Sequence, residues 1–206
     1  MGRPKEKTYL TIPEYFAIER QSEFRSEYFK GEMFAMAGGS PRHSRVKTCV
    51  LAELERQLKQ QPCVPYDSDL RVLCPTGLYT YPDASVVCGA LDFDDDQQNA
   101  VVNPTLIVEV LSKSTEQYDR GKKFDHYRSI DSLREYVLIS QDEPMVQTYL
   151  RNADGSWTWR VANQLEQSIR LNSIGCELRL ADVYDRVVFD AEADVPLPET
   201  TQESVQ

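Results

Sequence analysis

The sequence predicts an α/β fold, a mixed sheet flanked by helices, and three observations carry that expectation. Val46, Val50, Leu54 and Leu58 recur every four residues, with Leu51 beside them, which describes an amphipathic helix over about 42–60. Leu106-Ile-Val-Glu-Val-Leu111 reads as an apolar strand interrupted by one acid. The order helix, three strands, helix, strand then forms an α/β sandwich on a mixed sheet.

The elements follow from local chemistry. Thr11-Ile-Pro-Glu is an N-cap with proline just inside, opening a helix to about Arg20. Residues 27–36 form a hairpin turning at Lys30-Gly31. Gly38-Gly39-Ser40-Pro41 is a loop that starts the long helix. Strands are expected at about 64–73, 79–88 and 105–111, with an acidic loop around 94–99 before the last. A second helix spans about 116–130, and Glu135-Tyr-Val-Leu-Ile is the next strand. Segments 146–150 and 157–161 bracket Asn152-Ala-Asp-Gly as a C-terminal hairpin. One domain, 1–190, accounts for these elements, and 191–206 reads as an acidic disordered tail.

Composition narrows the chemistry. No run approaches the roughly 18 apolar residues of a membrane span. The basic N-terminus has no apolar block behind it, so a cytoplasmic protein is expected. The five cysteines have no C-x-x-C spacing and read as free thiols in or near a core. With His43 and His126 the only histidines, a histidine-rich metal site is excluded. Any metal must be held mainly by oxygen, which points to Mg²⁺ or Mn²⁺. The net charge of −10 opposes tight duplex binding. Eight of the acids lie in the tail or in the 92–96 loop, and the body without them carries −2.

Glu109 is the sharpest local signal. Alternation places it with Ile107 and Leu111, on a strand where a carboxylate is costly unless paired or metal-bound. The plain alternative is a buried salt bridge. Pro82-Asp83 gains weight only from Glu109 on the neighbouring strand. On the following helix, at 100° per residue, Phe124, Tyr127 and Ile130 define an apolar face centred at about 100°. Lys123 falls inside it at about 60° and Lys122 outside it at about 320°. Lys123 is therefore the lysine aimed at the sheet, with Asp119 one turn before it; a stem covering the core edge is the bland alternative. Two acids and a lysine so placed suit metal-assisted phosphodiester hydrolysis.

These residues resemble the Uma2 group of restriction-endonuclease-like proteins within the PD-(D/E)XK nuclease superfamily. The resemblance rests on Tyr81-Pro-Asp83, Pro104-Thr-Leu-Ile-Val-Glu109-Val-Leu-Ser-Lys-Ser-Thr115, Asp119-Arg-Gly-Lys-Lys123-Phe-Asp-His-Tyr127 and Glu135-Tyr-Val-Leu-Ile. Glu27 before Gly31-Glu32, and His43 opening the long helix, also fit, so that it covers about residues 9–190. It implies a restriction-endonuclease-like α-β-β-β-α-β core. It also implies metal binding by Asp83, Glu109 and the main-chain carbonyl of Val110, with Lys123 positioning the attacking water. Glu27 and His43 are secondary candidates, for metal coordination and for proton transfer or phosphate contact. His43 has a plain alternative as a capping or surface residue, and Tyr127 is expected to pack. One departure stands out: Leu111 occupies the lysine position of E-x-K, which moves that role to Lys123, with Lys113 as the fallback if the strand continues through Ser112.

The expected activity is a Mg²⁺- or Mn²⁺-dependent endonuclease acting on DNA, as a homodimer by analogy and with a protein partner conceivable. A catalytically silent binding module and a small-molecule phosphodiesterase compete with it. On the nuclease reading, Lys123→Ala abolishes cleavage and leaves the fold intact.

Overall fold

The computed structural model describes residues 9–36, 38–95 and 99–189. Helix α1 (Ile12–Glu19) opens with a capping box: Thr11 Oγ1 accepts from the Glu14 amide, and Glu14 accepts from the Thr11 amide at 2.7 Å. Strands β1 (Ser26–Phe29) and β2 (Glu32–Ala35) form the hairpin, turning through Lys30 and Gly31, both at positive φ. Ser40 caps α2 (Pro41–Leu58), whose buried residues are the four expected, Val46, Val50, Leu54 and Leu58.

The next two expected strands each divide. β3 (Cys63–Asp67) and β4 (Val72–Leu73) replace a single strand over 64–73. The break is an Asx turn, in which the Asp69 amide donates to Asp67 Oδ1 at 2.9 Å. β5 (Tyr79–Thr80) and β6 (Ala84–Cys88) replace the strand over 79–88. Pro82 lacks an amide to continue a ladder, and there the chain leaves one sheet for another. Asp83 thus stands in a crossing between sheets and not within a strand.

β7 (Leu106–Leu111) leads into a 12-residue helical segment: α3 (Glu116–Tyr118), a π-helical turn over Asp119–Lys123, and α4 (Phe124–Tyr127). This segment carries the chain across to β8 (Glu135–Ser140), which pairs parallel with β7. β9 (Val146–Arg151) and β10 (Trp157–Ala162) form the expected hairpin. A second hairpin, β11 (Ser168–Leu171) and β12 (Cys176–Arg179), and the turn of helix α5 (Leu180–Val183) were not anticipated. Their residues alternate exposed and buried over short segments, a weak signal in sequence. The expected tail, 191–206, lies outside the described residues.

The principal sheet has six strands in the order β10-β9-β8-β7-β6-β3, antiparallel except for β7–β8. A four-stranded sheet, β2-β1-β5-β4, carries the N-terminal hairpin. α2, α5 and the β11–β12 hairpin cover one face of the large sheet, meeting Val86, Val108, Val110, Val137 and Ile139. Tyr127, Ile130 and Leu133 cover the other, meeting Ile107, Leu111 and Leu138. Alternation in β7 is as read: Glu109 shares its face with Ile107 and Leu111.

The cysteine reading needs correction. Cys63 and Cys88 are register partners on β3 and β6 and form a disulfide. Their separation of 25 residues along the chain conceals a contact that only the strand pairing creates. Cys49, Cys74 and Cys176 are free, the last two buried. Among the described residues no helix is long and apolar enough to cross a membrane.

Candidate active site

Four elements bring titratable groups to the face of β7 that carries Glu109. Lys123, from the π-helical turn, places Nζ 2.8 Å from Glu109 Oε1, 3.2 Å from Glu27 Oε1 and 3.7 Å from Asp119 Oδ1. The four residues are 3–8% exposed, so one ammonium meets three carboxylates out of bulk water. Glu27 comes from β1 in the smaller sheet and accepts a hydrogen bond from the Thr80 hydroxyl. Tyr127, one turn beyond Lys123, donates its hydroxyl to Glu109 Oε1 at 2.6 Å. Tyr127 therefore packs, as expected, and also fixes the carboxylate.

Charge is unbalanced here. Burial pushes the Glu109 carboxyl up to about 8, with Asp119 and Asp83 adding to the rise and Lys123 pulling against it. Burial also raises Asp119. For Lys123 burial favours the neutral amine, but Glu109, Glu27 and Asp119 together hold it protonated, well above the ordinary lysine range. The centre carries more negative charge than its one lysine offsets.

Asp83 joins this centre from the crossing between sheets. Its Oδ2 accepts the Val110 amide at 2.8 Å and lies 3.1 Å from His43 Nε2. His43 sits in the first turn of α2, where its amide donates to the cap residue Ser40 at 3.1 Å. Ser40 in turn donates to Gln141 just past β8. A Cβ on Gly39 would lie 2.6 Å from His43 Nδ1, so only glycine lets the loop rest against that imidazole. Asp83 and His43 side chains are 15% and 16% exposed, against 5% and 7% for Glu109 and Lys123. The centre is most accessible on their side.

The structure thus brings together Asp83, Glu109, Lys123, Glu27 and His43. Lys122 is exposed, as its helical angle implied. The fallback Lys113 is also exposed, because β7 ends at Leu111 and the chain turns before it. At Val110 the main-chain amide is the group that donates to Asp83. Sequence reasoning did not find Thr80 or the role of Gly39. Asp119 had a signal, its i,i+4 spacing to Lys123; Thr80 had none, since its contact with Glu27 joins two strands 53 residues apart.

The hydrogen bonds at the two central acids converge on Asp83 Oδ2 and Glu109 Oε1; the other oxygen of each takes none among the described residues. Among those residues no three His, Cys, Asp or Glu side chains form a chelating group. Asp83 and Glu109 are hard oxygen donors of the kind a magnesium-type cation takes, and any such ion would have to draw its remaining ligands from water or main chain.

Fold and site together define a mixed α/β protein with a buried acid–lysine centre at the middle of its sheet. The chain belongs to the Uma2 family, described as "Putative restriction endonuclease", whose pattern matches residues 12–182. It is 35% identical over 182 residues to the uncharacterized protein slr1290 of Synechocystis sp. (strain ATCC 27184 / PCC 6803 / Kazusa), covering 87% of this chain and 94% of that one. It is 36% identical over 149 residues to the uncharacterized protein sll1609 of the same organism, covering 72% of this chain and 84% of that one. Its fold is similar to the crystal structure of "a putative nuclease belonging to DUF820" from Anabaena variabilis ATCC 29413. The TM-score is 0.70, at 19% identity over 87% of this chain and 99% of that one.

Proposed function

We propose that this protein is a metal-dependent endodeoxyribonuclease built on a restriction-endonuclease-like core within one domain, 1–190. The observation that carries the reading is the Glu109–Lys123 pair beside Asp83, an excess of carboxylate in a site otherwise built from apolar strands. Asp83 and Glu109 would hold Mg²⁺ or Mn²⁺, which supplies Lewis-acid polarisation of the phosphoryl group and a more acidic water.

The chain's own groups divide the remaining work. Lys123 presents a permanently charged donor to the attacking water and to charge developing on the phosphoryl oxygens. Glu27 and Asp119 hold that ammonium in place, and Tyr127 keeps Glu109 oriented toward it. His43, on the accessible side, would give a proton to the leaving oxygen while Asp83 orients its ring. The main-chain carbonyl of Val110 remains a candidate third ligand by family resemblance, and a homodimer remains an expectation by analogy.

One observation favours a silent module instead: Lys123 already has three carboxylate partners, which is how a structural ion pair also looks. Metal titration separates the two readings. By calorimetry, Mn²⁺ is expected to bind the wild type at one site, and Asp83→Asn to weaken it roughly 10-fold or more. Equal binding by both proteins, or none by either, would contradict the metal assignment. Lys123→Ala is a poor first probe, because three acids left without their cation cost about 3–5 kcal/mol of stability. Loss of activity in this variant is therefore expected together with loss of stability, against the intact fold that the helical geometry alone implied.

A further inference from the structure

The N-terminal hairpin brings one more side chain to this centre. Glu27 and Phe34 are cross-strand partners on β1 and β2. Directly opposed residues of an antiparallel pair project from the same face, with Cβ atoms about 5 Å apart. Glu27 uses that face to reach Lys123, so Phe34 stands next to the acid–lysine centre. Its ring is 48% exposed. The opposite face of the hairpin is the one that packs: Tyr28 and its partner Met33 join Tyr15 and Tyr79 in an aromatic cluster. Phe29, on Phe34's face, is also accounted for, lying edge-on to His126 with centroids 4.7 Å apart. Phe34 belongs to no core cluster and no ring pair among the described residues. Five residues later the same segment reaches Gly39, which lies against the His43 imidazole. One short stretch of chain therefore links an exposed phenyl ring to the accessible side of the site.

We propose that Phe34 is a stacking platform for an unpaired base beside the scissile phosphate, so that the substrate is single-stranded or locally opened nucleic acid. This rests on the nuclease reading above and deepens it. Stacking on an aromatic face tolerates any base and contributes binding without relying on phosphate neutralisation alone. Intact duplex offers no such face, and holding it depends on cationic contacts that a chain of net charge −10 opposes. An exposed ring beside a buried acidic centre fits the first ligand and not the second.

The test measures binding without turnover. A fluorescent oligonucleotide, as a single strand and as a blunt duplex of the same sequence, is titrated in chelator with wild type, Phe34→Ala and Phe34→Trp. Melting curves matching wild type, expected for an exposed position, show that the variants are folded. The expected result is single-strand affinity at least about 5-fold weaker in Phe34→Ala and retained in Phe34→Trp, with duplex binding unchanged by either. Wild-type affinity in Phe34→Ala, or an equal loss on both ligands, would overturn the platform while leaving the nuclease reading in place. A wild type that binds neither ligand would overturn the platform, whereas failure of the nuclease reading would show separately as no metal-dependent cleavage.

Discussion

At the scale of single residues, Glu109 decides the electrostatics. A carboxyl whose folded-state pKa stands above its unfolded value binds more protons when folded, so stability falls as pH rises through the interval between them. For Glu109 that interval runs from the ordinary glutamate range to about 8. Wild type in chelator should therefore lose stability between pH 5 and pH 8. Glu109→Gln should flatten that slope, the difference being on the order of 1 kcal/mol or more. Urea midpoints at the two pH values measure it; an identical slope in the variant would mean that Glu109 does not titrate there. The same residue shows why part of the site was legible. An acid inside Leu106-Ile-Val-Glu-Val-Leu111 has few inexpensive explanations, and its alternation with Ile107 and Leu111 fixed which face it uses. Glu27 and His43 were legible only through family resemblance, because their partners lie on elements remote in sequence.

Among the elements, the crossover helix shows both the reach and the limit of periodicity. A wheel at 100° per residue separated buried Lys123 from exposed Lys122 correctly. It did not foresee the π-helical turn at Asp119–Lys123, which widens the helix where three acids converge on the lysine. The split strands failed for a comparable reason: 64–73 and 79–88 read as continuous, while Asp67 and Pro82 break them through side-chain and missing-amide effects. Strand pairing also created the Cys63–Cys88 disulfide, which closes a loop of 25 residues and ties edge strand β3 to β6. Thiol titration of denatured, unreduced protein should find three free thiols, Cys49, Cys74 and Cys176. Cys63→Ser with Cys88→Ser should lower stability by about 3 kcal/mol. Five thiols without reductant would show that the bridge does not form.

For the whole molecule, the order of elements was legible and the division into two sheets was not. Helix, strands, helix and strand follow from hydrophobic spacing. The separate sheet β2-β1-β5-β4 depends on pairings such as Tyr28 with Tyr79, which no local pattern announces. That second sheet matters to the site, since it delivers Glu27 and Thr80 to a centre whose other acids come from the large sheet, the crossing between sheets and the π-helical turn. The net charge of −10 opposes non-specific phosphate contacts, so the proposed nuclease function depends on local contacts rather than on the field of the whole molecule.

On the proposed function, Asp83, Glu109 and Lys123 form a metal-dependent phosphodiester-cleaving centre. Its most direct test is cleavage of a supercoiled plasmid, a single strand and a branched DNA in Mn²⁺, by wild type and by a folded Asp83→Asn variant, with chelator controls. Cutting by wild type that chelator abolishes is expected, with a loss of roughly 100-fold or more in Asp83→Asn. Full activity in the variant, or no cutting of any DNA by well-folded wild type, would contradict it.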